Sequence, residues 1–134
     1  MAEATDTPKS HLTPANRVMA IRLANACAPF HLLSPNTRLQ VVRMFLLVGM
    51  DDGSTIGELA KRCGVSKNDA SRYLRDLGTT DRYGRPGLGL VTIVQRVYGD
   101  RREHRVHVTA RGAEIIDTVQ VALTELRPVL LTPA

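Results

Sequence analysis

Apolar residues fall at helical spacing in five stretches of this chain, and between the fourth and the fifth the pattern changes to that of strands. Residues 1–12 are polar and read as a flexible tail. Thr13-Pro14 then supplies an N-cap and a first helical residue. Val18, Met19, Ile21, Leu23, Ala24 and Ala26 carry an apolar helix to about Ala28, where Pro29 is predicted to stop it. Ser34-Pro35 repeats the start signal. Leu39, Val42, Phe45, Leu46 and Val48 follow at helical spacing, and Val41, Met44 and Leu47 widen the stripe. A helix apolar nearly all round must be covered on several sides, and part of that cover is expected from another subunit.

"GMDDGS" reads as a turn. Thr55-Ile56-Gly57-Glu58 is a capping box, with Thr at the N-cap and Glu three residues on; Ser66-Lys67-Asn68-Asp69 is nearly another. Two short helices are therefore predicted, about Ile56–Arg62 and Lys67–Leu77, with Gly64 taking a turn conformation that other residues resist. After Gly78 comes a run of turn formers to Gly87. Leu90–Val97 is β-branched and strand-like, "YGDRRE" is a tight basic turn, and Arg105–Val108 alternates as the returning strand of a hairpin. Thr109 caps a last helix with Ile115, Ile116, Val119, Ala122, Leu123 and Leu126 as its stripe and Pro128 at its end.

The two short helices carry the most specific signal. Leu59, Ala60, Cys63, Val65, Ala70, Tyr73 and Leu74 fall inside, with a small residue where the helices cross and Gly64 at the bend; this is the spacing of a helix-turn-helix. On the opposite face of the second helix, Asn68, Ser71, Arg72 and Arg75 stand at i, i+3, i+4 and i+7, and Ser66, Lys67 and Asn68 open it. Arg can take guanine O6 and N7, and Asn can take adenine N6 and N7. Lys, Ser and helix-start amides can hold phosphate. Any surface helix has a polar face, but here that face is cationic and follows a packed helix-turn-helix, which points to duplex DNA. In the hairpin, Arg101, Arg102 and Arg105 are expected at or near the tip, as a wing that reaches phosphate or a minor groove. A solvated turn that blunts a sheet edge is the plainer reading of the same residues.

Composition sharpens this picture. The chain has 134 residues, enough for one domain spanning 13–134, and a formal net charge of +5. Twelve of the 18 Lys and Arg, but five of the 13 Asp and Glu, lie between Lys61 and Arg111, so the excess positive charge belongs to the helix-turn-helix and hairpin half. The polar start lacks a signal-peptide core and "MFLLVGM" is too short to span a bilayer, so a cytoplasmic, nucleoid-associated place and no membrane partner are expected. Cys27 and Cys63 have no paired spacing and are expected as buried thiols. His104 and His107 should point to opposite faces of their strand and so cannot share a metal. Asp51-Asp52-Gly53 offers too few oxygens for a calcium loop. No nucleophile motif or phosphate loop is present. Neither catalysis nor a cofactor is expected.

The stretches "STIGELAKRCGVSKNDASRYLRDL", "GLGLV" and "YGDRREHRVHVTARGAEII" resemble the winged-helix core of MarR-type transcription regulators, from about Arg38 to Asp117. The most telling piece is Asp100-Arg101-Arg102, then a strand, then Val108-Thr109-Ala110-Arg111-Gly112 opening a helix. The resemblance implies a fold that is mainly α with a small β-hairpin wing (α+β). In it, 55–77 is the helix-turn-helix, 88–108 the wing, and 13–33 and 110–130 the dimerisation helices. It implies a homodimer with two recognition helices on a pseudo-palindromic operator, acting as a repressor of transcription. It assigns DNA contact to Lys67, Asn68, Ser71, Arg72 and Arg75, and to Arg102 with Asp100 orienting it. It leaves room for an unknown small-molecule effector. In such proteins the recognition helix runs almost directly into the wing; here Gly78–Gly87 intervenes. Arg82, Tyr83 and Arg85 in that insert either contact backbone phosphate or belong to a surface loop. The competing reading is a winged-helix protein–protein interaction module or a non-specific, architectural nucleic-acid binder. RNA is disfavoured, because aromatics make up 4% of the chain and Trp is absent.

Overall fold

A computed structural model describes residues 8–80 and 83–125. Leu126 and Pro128 of the expected last stripe, Arg82, and residues 1–7 of the expected tail lie outside the described residues.

Thr13 Oγ1 accepts the amide of Asn16 (3.2 Å) and opens α1 (Pro14–Leu33). The helix does not stop at Pro29, as the sequence suggested, but runs through it for one more turn. Proline's fixed φ suits a helix; what it lacks is an amide hydrogen for the preceding turn. Tertiary burial outweighs that loss: Ala26, Pro29 and Phe30 form the buried line of α1, and the Phe30 ring meets Phe45 edge-on at 5.8 Å. Cys27 falls outside this line and is exposed, against expectation; Cys63 is buried as expected. Ser34-Pro35 is likewise not a helix start. Ser34 closes α1 with its amide on Phe30 O, and the Thr37 hydroxyl donates to Ser34 O (2.8 Å) and Phe30 O (3.3 Å).

The second helix, α2 (Leu39–Met50), buries Val41, Met44, Phe45 and Val48. Leu39 and Met50 remain 69% and 74% exposed, so within this chain α2 is covered on one side only. Strand β1 (Ser54–Thr55) leads straight into α3 (Ile56–Cys63), whose capping box is complete. Gly64 then turns the chain into α4 (Lys67–Leu77). Strands β2 (Val91–Tyr98) and β3 (Arg101–Val108) form the expected hairpin, and β1 adds a third antiparallel strand in the order β1-β3-β2. Two residues carry no period, so β1 was legible only as a turn and a cap; its partner Val106, with Arg105 opposite Thr55, makes it a strand.

Thr109 opens α5 (Ala110–Thr124), accepting the amide of Gly112 and donating to Gly89 O (2.8 Å). A side chain at Gly112 would collide with Leu90 O and stand 2.8 Å from Val108 Cγ1. The Thr-x-x-Gly pattern thus serves a close approach of α5 to the start of the wing. One core joins Phe45, Met44 and Val48 of α2 to Leu59, Leu74 and Leu77 of the helix-turn-helix and to Leu90, Val91 and Val106 at the base of the sheet. α1 lies against α5 beside it.

Candidate nucleic-acid interface

The bend between α3 and α4 is built by Gly64 at φ +74°, whose amide donates to Ala60 O (2.9 Å), followed by the amide of Val65 on the same carbonyl (3.1 Å). Only glycine takes that left-handed conformation without strain. Leu59, Ala60, Cys63, Ala70 and Leu74 are buried, and Val65 and Tyr73 are half-buried, which is the interior the sequence predicted. With that face inside, Lys67, Asn68, Arg72 and Arg75 are exposed and Ser71 is half-buried. The Ser66 hydroxyl accepts the amide of Asp69 (3.1 Å), so its first task is to cap α4.

Asp69 is the residue the sequence reading missed. It pairs with Arg72 at 2.6 Å, one turn apart on the same helix. Both side chains are well exposed, so the pair adds little to stability. Its effect is geometric, since it holds the Arg72 guanidinium against the surface of α4. The i, i+3 spacing was the available signal.

The wing turns at Gly99-Asp100, with Gly99 at φ +60°. Register pairs Tyr98 with Arg101 and Val97 with Arg102, so these arginines stand on opposite faces near the tip. Arg102 and Asp100 line a shallow recess of about 410 Å3 with Gln95, Val97 and Gly99, and no ion pair joins them. Arg96, which the sequence reading did not single out, lies opposite Glu103 and shares the face of Arg101. Arg105 is not at the tip. It lies four residues down β3, donates to Gly53 O (2.8 Å) and pairs with Glu103, bracing the wing against the α2–β1 turn. The same turn holds the wing through Asp52, which accepts the amide of Val108 (2.6 Å) and meets His107 Nδ1 at 3.3 Å. Asp51 meets Arg62 at 3.4 Å, and Arg62 also donates to Ser54 Oγ (2.9 Å). The Asp-Asp-Gly turn is therefore a wing anchor. His104 lies opposite Gln95 and His107 opposite Thr92, so the two rings point to opposite faces as their spacing required. Among the described residues, no three His, Cys, Asp or Glu gather as a metal site.

No protein-family model matches the sequence, and no curated protein matches it. Solved structures match the fold. MepR of Staphylococcus aureus, described as a transcription regulator of the multidrug efflux pump MepA, aligns with a TM-score of 0.55 at 17% identity, over 86% of this chain and 79% of its own. MarR aligns with a TM-score of 0.55 at 24% identity, over 82% and 75%. A MarR-family transcriptional regulator from Silicibacter pomeroyi aligns with a TM-score of 0.53 at 25% identity, over 82% and 66%, so this chain spans just under two thirds of that protein. The fold is the MarR-type winged helix.

On this MarR-type frame α3 and α4 are the helix-turn-helix and β2–β3 the wing, and MepR and the Silicibacter pomeroyi protein are described as transcription regulators. Between α4 and β2 the described residues close on each other at the base of the segment. Gly87 donates to Thr79 O, Leu88 to Asp76 O, Gly89 to Gly78 O and Leu90 to Leu77 O, all at 2.8–2.9 Å, and Thr80 bridges Pro86. Arg85 lies over the Tyr83 ring, 4.9 Å from its centroid, and both are exposed. The backbone bonds bring the two ends of the segment together at the end of α4.

Proposed function

We propose that the chain is a sequence-specific, double-stranded DNA-binding transcriptional regulator that acts as a dimer on a pseudo-palindromic operator, and that it represses by occupying the promoter. The observation that carries this reading is the exposed stripe of Lys67, Asn68, Arg72 and Arg75 on the second helix of a packed helix-turn-helix. That helix has the dimensions of a major-groove reader, and its N-terminal residues are the ones that meet base edges. Arg101 and Arg102, on opposite faces of the wing, reach phosphate or a minor groove alongside.

Dimerisation is supported by the outer face of α1 and α5. Met19 and Leu23 on α1 are 56% and 62% exposed, and Val121 and Leu123 on α5 are also exposed. Such a patch on paired helices is the kind that a second copy covers. No helix among the described residues is long and apolar enough to cross a membrane. The proposed place of work is the nucleoid.

Selection from a random duplex library with the purified chain, at two salt concentrations, tests the reading. An enriched inverted repeat with half-sites about one helical turn apart is expected. Binding without enrichment, lost steeply with salt, would instead mean an architectural binder. Absence of binding at low salt overturns the proposal.

A further inference from the structure

The wing leaves the body of the molecule as a lever. Val91 and Val106 are buried at its base, and every residue of β2 beyond Val91 is exposed. Arg101 stands five residues past Val106 along β3, roughly 17 Å at the rise of a strand. Over that length a tilt of about 10° at the base moves the tip by about 3 Å. A hydrogen bond tolerates about half an ångström, so the angle at the base decides what the tip arginines can reach.

Apolar packing of Val91 and Val106 is non-directional and fixes that angle loosely. Directional bonds do the rest. The start of β2 is tied at one point, where the Leu90 amide donates to Leu77 O (2.8 Å). β3 is tied along a row of four consecutive residues, Arg105 to Val108. The Gly53 amide donates to Val106 O (2.8 Å), and Gly53 O accepts from Arg105 (2.8 Å). Asp52 takes the Val108 amide on Oδ1 (2.6 Å), and His107 Nδ1 lies 3.3 Å from its Oδ2. All of these bonds come from two residues of the α2–β1 turn. The turn is itself fixed to the helix-turn-helix, because Thr55 caps α3 and Arg62 of α3 reaches back to Ser54 Oγ (2.9 Å) and Asp51 (3.4 Å). The Asp52 carboxylate is half-exposed, so its bonds add little to stability. What they add is direction: both oxygens face β3.

We infer that Asp52 is a positioning residue of the DNA interface, which fixes the wing at the angle where Arg101 and Arg102 meet the same duplex as α4. The DNA half of this inference rests on the proposed function; the fixing of the wing does not. The sign of the effect separates positioning from direct contact. A carboxylate near DNA repels phosphate, so removing one by itself tightens binding. Removing one that aims two arginines weakens it.

Binding of the selected operator by the whole chain and its variants tests this. Asp52→Ala is expected to weaken the complex about tenfold, the size of a lost charge-assisted contact, and to lower the salt slope by about one to two as the wing arginines leave phosphate. Asp52→Asn keeps an acceptor for the Val108 amide and should restore most of the affinity. The effect must pass through the arginines: in a chain that carries Arg101→Ala and Arg102→Ala, adding Asp52→Ala changes nothing further. A tighter complex or an unchanged one from Asp52→Ala, a loss from Asp52→Asn as large, or an equal loss in both backgrounds overturns the role in DNA binding. Residual dipolar couplings read the wing without DNA. In the parent, the amides of β2–β3 and of α3–α4 fit one orientation; in Asp52→Ala, those of the wing shrink or need another, while those of α3–α4 stay. Wing couplings that still fit the parent orientation overturn the positioning itself. A chain that binds no duplex at all removes the proposed function, and the couplings still decide whether Asp52 fixes the wing.

Discussion

Arg72 reaches the surface of α4 already held by Asp69, and that pairing separates it from its neighbours Lys67, Asn68 and Arg75. A guanidinium fixed by a carboxylate loses less side-chain freedom on meeting a base than a free one does. Arg72→Ala and Asn68→Ala are each expected to relax specificity at a single base position by about 1–3 kcal/mol, read by competition with operators substituted one position at a time. Arg101→Ala should instead weaken binding to all sequences alike and lower the salt slope by about one. A uniform loss from Asn68→Ala would count against base readout by α4. Stability at the residue scale is tested best at Gly112. Its added methyl would collide with the backbone of Leu90, which cannot rotate away, so Gly112→Ala is expected to lower unfolding free energy by about 1–3 kcal/mol in urea titrations.

At the scale of the element, the capping box of α3 makes a pH-dependent contribution. The backbone amide of Thr55, first, and its hydroxyl, second, hold the Glu58 carboxyl below its ordinary value near 4.5. A depressed carboxyl contributes its stability above the unfolded value and loses it as pH falls through the folded one. The melting-temperature gap between the parent and Glu58→Gln is therefore expected to be present at neutral pH and to close on acidification below about pH 4. A gap that persists unchanged at pH 3 would place the effect elsewhere. This box also shows why most of the fold was legible. Thr55, Glu58, Gly64 and Ser66 act within three or four residues of themselves, so their partners stand beside them in the sequence. The helix-turn-helix interior follows from that local frame. What escaped depends on distant partners. Pro29 stays helical because Phe30 packs on Phe45, β1 exists through Val106, and Arg105 turns inward to Gly53. The cationic stripe was readable from spacing alone. The i, i+3 spacing of Asp69 and Arg72 allowed their pairing without fixing the rotamer that makes it, and the anchoring role of Asp52 was not legible, because it needs a contact 56 residues away.

For the whole molecule, the decisive quantity is the number of subunits on the DNA. A single copy presents one stripe and one wing, while an inverted repeat offers two half-sites. The linkage between them is proposed to be the α1–α5 face, where Leu23 stands 62% exposed next to Met19, one turn away. A charge placed there is solvated in the monomer and desolvated in a dimer, so Leu23→Glu is expected to halve the mass seen by sedimentation equilibrium while leaving the fold intact. The consequence on DNA follows from counterion release. Phosphate contacts set the slope of log K against log salt, and a monomer makes half as many. Leu23→Glu should therefore show roughly half the salt slope on the full operator, and an affinity for an isolated half-site equal to that of the parent. Because the second half-site is bound at high effective concentration once the first is held, the full operator should lose far more than half its binding constant. A variant that becomes monomeric yet keeps the full slope would show that both half-sites are contacted without the α1–α5 face, and the dimer would have to be sought instead at the exposed Leu39 and Met50 of α2.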